Sequence, residues 1–281
     1  METSALRVFK AVSDTGSVTR AAERLNCVQS NVTARLKGLE EELGIALFHR
    51  ASRGMVPTAA GRVLSGYAER ILTLVEEAGH AARATEGPTG PLALGSMETT
   101  AAVRLPDLLA AFHQRHPAVD LTLVTGPTDT LVEAVLAFRL EGALVGGPVD
   151  HPDLVAEPVF TEILVLVRSR DGAAKPVLLA FRNGCTYRSR AERWLRESGA
   201  VPLRVMEFGS IDAILGCVAA GMGITVLPRA VAERHAARGF VLEELPEDLA
   251  TVPTQLIRRA ETRSSGPLTA FRDLLREAGG G

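Results

Sequence analysis

The sequence predicts an α/β protein in two parts: an all-helical head, then a long helix leading into two lobes of alternating strands and helices. Three observations carry this. Residues 1 to about 58 hold short apolar stripes at helical spacing, residues 58 to 86 form one long run without proline, and everything beyond Pro91 alternates strand-like and helix-like segments. At 281 residues, with 46% apolar and 23% charged content, the chain is long enough for two domains with substantial cores.

In the head, Leu6, Phe9 and Val12 (with Ala5) form one helical stripe, and Ala21, Ala22 and Leu25 form a second. Gly16-Ser17 separates them, with Ser17 placed as an N-cap. A third helix is predicted from Gln29 to about Leu43, with Gly44 as its stop. LFHRASRGMVPT reads as two short strands around a turn holding Ser52, Arg53 and Gly54. The second and third helices, joined by the tight turn LNCV, make a helix-turn-helix, whose second helix meets base edges with its N-terminal residues. Gln29, Ser30, Asn31 and Thr33 gather donors and acceptors at that end, where the helix dipole also favours phosphates. Glu40, Glu41 and Glu42 fall at the far end and read as a solvated run kept clear of a polyanion. Residues 1–58 carry eight Lys or Arg against six Asp or Glu, in a chain of net charge −2. That imbalance is compatible with a nucleic-acid-facing head and proves nothing by itself.

Thr58 can cap the next helix, and Gly87, Pro88 and Gly90 end it. Leu64, Tyr67, Ile71, Leu74, Ala78 and Ala81 follow heptad spacing along about 29 residues, roughly 43 Å of helix. The seam either lies on its own domain or pairs with a second chain; its narrowness favours pairing.

After that, PLALGS, VDLTLVTG and GALVGG read as strands, with helices over VRLPDLLAAFHQRH and TDTLVEAVLAF. LVAEPVFTEILVLVRS is an extended crossing. The alternation then resumes: PVLLAF, PLRVMEF and ITVLP as strands, TYRSRAERWLRESG and SIDAILGCVAAG as helices. FVLEEL and TVPTQLIRRA add strands, and PLTAFRDLLREAG closes with a helix that can fold back onto the first lobe. Two lobes joined by crossings form a cleft in which closure buries a small ligand. Its lining is expected where strands end and helices begin. In the first lobe this gives Ser96, Met97, Thr99, Thr100, Thr125, Gly126 and Thr128; in the second, Asn183, Cys185, Thr186, Tyr187, Arg188, Phe208 and Ser210. Hydroxyls beside helix N-termini suit a carboxylate or phosphate, or simply cap the helices, and Arg188 is placed to pair with an anion. Cys185, before a helix and near Arg182 and Arg188, is a candidate for a lowered pKa and hence for redox or electrophile sensing. Packing or ligand contact are the alternatives.

Several chemistries lack their signatures. The three cysteines form no C-x-x-C pair, which fits a reducing cytoplasm and neither a disulfide framework nor a zinc site. His113 and His116 stand three apart beside Pro117 with no third ligand near. GMG at 221–223 follows a helix and precedes a strand, the reverse of a dinucleotide fingerprint. There is no P-loop, no G-x-S-x-G and no long uncharged apolar run, and METSALRVFKAV shows no basic stretch followed by a long apolar block, so export is not expected. No cofactor, metal or enzymatic activity is expected, and no membrane partner.

The head then becomes specific. Residues 1 to about 65 resemble the winged helix-turn-helix of LysR-type transcriptional regulators through Leu6, Phe9, Gly16-Ser17, Ala21-Ala22, Leu25, Gln29-Ser30, Val32-Thr33, Leu39-Glu40, Leu43-Gly44, Leu47-Phe48, Arg50, Pro57-Thr58 and Gly61. Thr33 stands where that family usually has Ser. CVAAGMGITVLP extends the resemblance, and with the linker helix and two lobes it covers the full length. The resemblance implies a cytoplasmic DNA-binding regulator, a homotetramer built as a dimer of dimers on a pseudo-palindromic operator, with RNA polymerase as a further possible partner. It also implies a periplasmic-binding-protein-like effector domain. The expected domains are 1–58 for DNA binding, 59–87 for the linker helix and 88–281 for effector binding. Within the last, the first lobe takes 88–160 and 262–281, and the second takes 161–261. Base contacts are expected from Gln29, Ser30 and Thr33, with Asn31 secondary; Arg35 touches base or phosphate, and Arg50 and Arg53 of the wing meet backbone or minor groove. The rival from another class is a small-molecule binding protein or enzyme whose residues 1–58 serve only for assembly.

Overall fold

The computed structural model describes residues 1–51, 54–83, 87–170, 177–199, 204–236, 239–261 and 264–279. The chain divides into two compact units, Met1–Arg83 and Ala84–Gly281.

The first unit holds α1 (Thr3–Thr15), α2 (Val18–Arg24), α3 (Gln29–Leu43), β1 (Phe48–Ala51), β2 (Gly54–Pro57) and α4 (Ala59–Arg83). Gly16 ends α1 in the left-handed region at φ 61°, and Ser17 Oγ accepts from the Arg20 N–H at 3.4 Å to start α2. Asn26, at φ 50°, turns the chain between α2 and α3. Leu6, Phe9, Val12, Ala21, Ala22, Val32, Leu36 and Leu39 form one core, with Phe9 and Phe48 ring centroids 5.3 Å apart. β1 and β2 pair antiparallel, Phe48 opposite Pro57 and Arg50 opposite Met55.

One of the three glutamates departs from expectation. Glu40 is half-buried, and its Oε1 accepts from the Leu47 N–H at 2.7 Å and the Phe48 N–H at 3.3 Å. It therefore anchors the wing to α3, whereas Glu41 and Glu42 are exposed. Gly61 sits so close to the chain entering the wing that a Cβ would collide with the Leu47 carbonyl.

The second unit runs β3 (Gly90–Ser96), α5 (Glu98–Val103), α6 (Leu105–Arg115), β4 (Val119–Thr125), α7 (Thr128–Leu136), β5 (Gly142–Gly146) and β6 (Leu154–Ser169). It continues through β7 (Val177–Phe181), α8 (Thr186–Glu197), β8 (Arg204–Phe208), α9 (Ile211–Ala219), β9 (Thr225–Pro228) and α10 (Arg229–Arg234). It ends with β10 (Phe240–Glu244), α11 (Glu247–Ala250), β11 (Thr251–Arg259) and α12 (Gly266–Gly279). The main sheet has the order β10-β6-β11-β5-β3-β4, with β9 also on β6, while β7 and β8 pair in parallel. β3 is parallel to both β4 and β5, as strand–helix–strand units require.

The outward crossing between lobes is a single strand. β6 pairs with β11 along its first part and with β9 and β10 along its second. Pro158 is tolerated because the β6–β11 register shifts at Thr254/Gln255, leaving Val159 without an opposite residue. β11 pairs with β5 of the first lobe from Thr254 to Arg258, so the return crossing is β11 itself. This corrects the expected second-lobe boundary at 261: long-range pairing placed β11, and local pattern could not. Helix α12 packs Leu268, Phe271, Leu274 and Leu275 into the first-lobe core, where Phe112 and Phe271 meet edge to face at 5.5 Å.

Three helices were not expected. α5 precedes the predicted helix because Pro106 near the start of α6 breaks the run at Arg104; α10 and α11 are short turns after Pro228 and Pro246.

The wing anchor is open to test. Glu40→Ala should destabilise the head by about 2 kcal/mol, because a charged acceptor for backbone N–H groups is worth roughly 1.5–3 kcal/mol. Glu40→Gln keeps an acceptor and should lose less. Thermal unfolding reads both, and equal melting of the three proteins would show that the wing holds itself.

Candidate functional site

Helix α3 separates its faces cleanly. Val32, Leu36 and Leu39 are buried, while Gln29, Ser30, Asn31, Thr33 and Arg35 are exposed. Arg35 Nε donates to Asn31 Oδ1 at 2.9 Å, one turn back, so these two side chains are held together on the open face. No acidic residue lies in the first turn. Arg50 belongs to β1, but its side chain, like the whole of Arg53, lies outside the described residues.

Helix α4 splits its predicted seam. Leu64 and Ile71 lean on the core of the head, beside fully buried Ala68. Tyr67 and Leu74 are exposed, as is Ala78, and the side chain of Ala81 lies outside the described residues. Val63 and Val75, each one residue out of the heptad, are exposed as well at 63% and 41%. The physical reason is that α4 uses one face against its own domain, so its open apolar stripe is displaced toward Val63, Tyr67 and Leu74.

The second unit contains a cavity of about 220 Å³ at the meeting of the two lobes. Of the expected cleft residues, Met97, Thr99, Thr125, Gly126, Thr128, Cys185, Tyr187 and Phe208 line it. The others do not. Ser96 is buried and its Oγ donates to the Met97 carbonyl at 3.0 Å, and Thr100 is buried with its hydroxyl unpartnered. Thr186 Oγ1 donates to the Gly146 carbonyl at 2.8 Å, which ties the start of α8 to the end of β5. Asn183 is exposed, and Ser210 precedes α9 without a side-chain capping bond.

Arg188 was expected to meet an anion, and the structure corrects this. Its Nε reaches Glu192 at 2.8 Å and its Nη1 reaches Glu207 at 2.6 Å, so both carboxylates are within the protein. Cys185 is corrected too. Burial pushes its thiol up, more strongly than the N–H groups of Arg188 and Tyr187 pull it down. At 7% exposure it behaves as a packed thiol, and the redox reading loses its basis.

Sequence reasoning missed Glu98, Pro127, Phe181, Arg182 and Gly209, which also line the cavity. Glu98 was overlooked because α5 was not expected; a carboxylate just after a strand end was the available signal. Its Oε1 accepts from the Ile211 N–H of α9 at 3.0 Å. Burial raises its pKa, the Ile211 N–H offsets part of that, and nearby Asp212 adds to it. Below the cavity, Tyr187, Thr99 and Thr254 bring three buried hydroxyls together, yet none has a hydrogen-bond partner of good geometry. An unpaired buried polar group costs about 1–3 kcal/mol. Burial also raises the Tyr187 phenol well above its ordinary value, so it remains an O–H donor. Across the lobes, Arg234 donates to the Ala102 and Val103 carbonyls at 2.8 and 3.3 Å, and Arg104 forks onto Glu162 at 2.8 and 3.2 Å.

Comparison with known proteins agrees with both halves. Residues 3–62 match the family described as "Bacterial regulatory helix-turn-helix protein, lysR family", and residues 85–280 match "LysR substrate binding domain". The chain is 44% identical over 289 residues to the HTH-type transcriptional regulator GltR of Bacillus subtilis (strain 168), covering 99% of this chain and 97% of that protein. It is 40% identical over 285 residues to the HTH-type transcriptional regulator SoxR of Arthrobacter sp. (strain TE1826), covering 99% and 98%. Among solved structures, full-length CbnR complexed with its target DNA aligns with TM-score 0.72 at 26% identity, covering 99% of this chain and 100% of that one. A full-length OxyR variant from Pseudomonas aeruginosa shares the fold with TM-score 0.73 at 21% identity, covering 98% and 95%. With an open polar face on α3, a cavity between two α/β lobes and family matches over both units, the chain belongs to the LysR family of DNA-binding transcriptional regulators.

Proposed function

We propose that α3 reads an operator through Gln29, Ser30, Thr33 and Asn31, and that a small-molecule effector in the interlobe cavity controls the outcome. The observation that carries the first part is the exposure of all four polar side chains in the first turns of α3, where Val32, Leu36 and Leu39 are buried. Bidentate and hydroxyl contacts to base edges specify sequence, whereas Arg35, with Arg50 and Arg53 of the wing, meets phosphate and sets register.

The exposed stripe of α4 supports pairing of two chains, and two such pairs make a dimer of dimers on a pseudo-palindromic site. Effector binding favours one degree of lobe closure. That shifts subunit packing in the oligomer and the bend imposed on DNA, and with it access for RNA polymerase. The hydroxyls of the cavity and the exposed Arg182 support an organic acid as effector. Such a ligand acts only through its difference in affinity for the two states.

Two measurements follow from this reading. Gln29→Ala should weaken binding to the operator by about 1–3 kcal/mol and leave binding to random DNA unchanged, whereas Arg35→Ala should weaken both and flatten the salt dependence. Titrations on the two DNAs at several salt concentrations read this, and equal losses for both variants on both DNAs would remove the division of roles. Leu74→Glu places a charge in the proposed pairing stripe of α4. Sedimentation should then show smaller assemblies, and an unchanged mass would move the interface elsewhere.

A further inference from the structure

The cavity holds one acid and one base that make no ion pair among the described residues. Glu98 gives one carboxylate oxygen to the Ile211 N–H and makes no ion pair among the described residues. Its charged neighbour is Asp212, of like sign. Arg182 also lines the wall, is exposed, and likewise makes no ion pair among the described residues. The floor adds Thr99 and Tyr187, over nine-tenths buried, whose hydroxyls have no hydrogen-bond partner of good geometry among the described residues. Phe181 and Phe208 supply apolar wall.

A simple acid satisfies only half of this set. Its carboxylate is welcome at the hydroxyls and at Arg182, but it leaves the half-buried Glu98 without a counter-charge, with another negative charge brought near. An amine without an acid reverses the fault. A ligand carrying both groups meets both.

We propose that the cleft selects an amine-bearing organic acid, its ammonium paired with Glu98 and its carboxylate received by the Thr99 and Tyr187 hydroxyls and Arg182. The apolar remainder of the ligand packs on Phe181 and Phe208. This rests on the reading of the cavity as the effector site and narrows the ligand class. It makes Glu98 the residue that distinguishes amino acids from plain acids.

The test is a thermal-unfolding titration of the full chain with the protein amino acids, each matched to its desamino acid and to its decarboxylated amine. At least one amino acid should raise the melting temperature at concentrations roughly tenfold or more below those its two partners need, the effect of one charge-assisted hydrogen bond. Glu98→Gln still accepts from the Ile211 N–H, so the lobes stay joined; it should erase the preference for the amino acid over the desamino acid. Three results overturn the proposal: a desamino acid that matches its amino acid on the wild-type protein, a preference that survives Glu98→Gln, or no response to any amino acid. Gly126→Phe, which fills the cavity, separates this failure from the wider one. A response to plain acids that disappears in Gly126→Phe leaves the cavity as the effector site and removes only the role of Glu98. A response that persists in Gly126→Phe removes both.

Discussion

The constraint on which the head depends is the burial of one stripe of α3. Val32, Leu36 and Leu39 close a core against α1 and α2, and because side chains three and four apart share a face, the intervening residues must point outward. Ser30, Asn31, Thr33 and Arg35 are therefore open to contact as a consequence of packing, and Gln29, at the first position of the helix, is exposed with them. The same helix holds the wing at its other end, where Glu40 gathers two backbone N–H groups of the β1 entry. One helix thus presents the exposed polar groups proposed to meet bases and anchors the hairpin that follows it.

The second unit is governed by a different constraint. Two strands, β6 and β11, run antiparallel through both lobes, and polar links from Arg234 and Glu98 add to them. Polar links of this kind exchange readily with water or ligand groups, which is what the proposed change of lobe closure requires. Apolar contacts also join the lobes: Val103 packs against the second-lobe cluster of Ile211 and Leu215, and Met97 packs with Tyr187 and Cys185, directly at the cavity. A ligand there touches the contact that closes the lobes, which is where a difference in affinity between open and closed states has to arise.

How much was legible in the sequence follows the range of the interactions. Gly16, Ser17 and Gly44 marked helix ends because capping is a local, stereochemical matter, and the stripes of α1 to α3 were plain. What escaped depended on distant partners. β11 looked like any second-lobe strand until its pairing with β5 placed it across the boundary. Arg188 looked free because Glu207, nineteen residues away on β8, was not known to face it. Cys185 looked activated because its burial was invisible. In α4 the heptad pattern was real, but two of its positions were already taken by the head's own core. Short turns such as α5 carry too few residues for periodicity to show, and Glu98 was lost with it.

The central claim is that the first turns of α3 lie against DNA. Hydrogen exchange of the full chain, with and without bound operator, tests it most directly, since the first N–H groups of a helix have no partner within the helix. The account predicts slowed exchange across residues 29–35 when the operator is present, and little change there with non-specific DNA at the same salt. Unchanged exchange over 29–35 in a fully formed operator complex would contradict it.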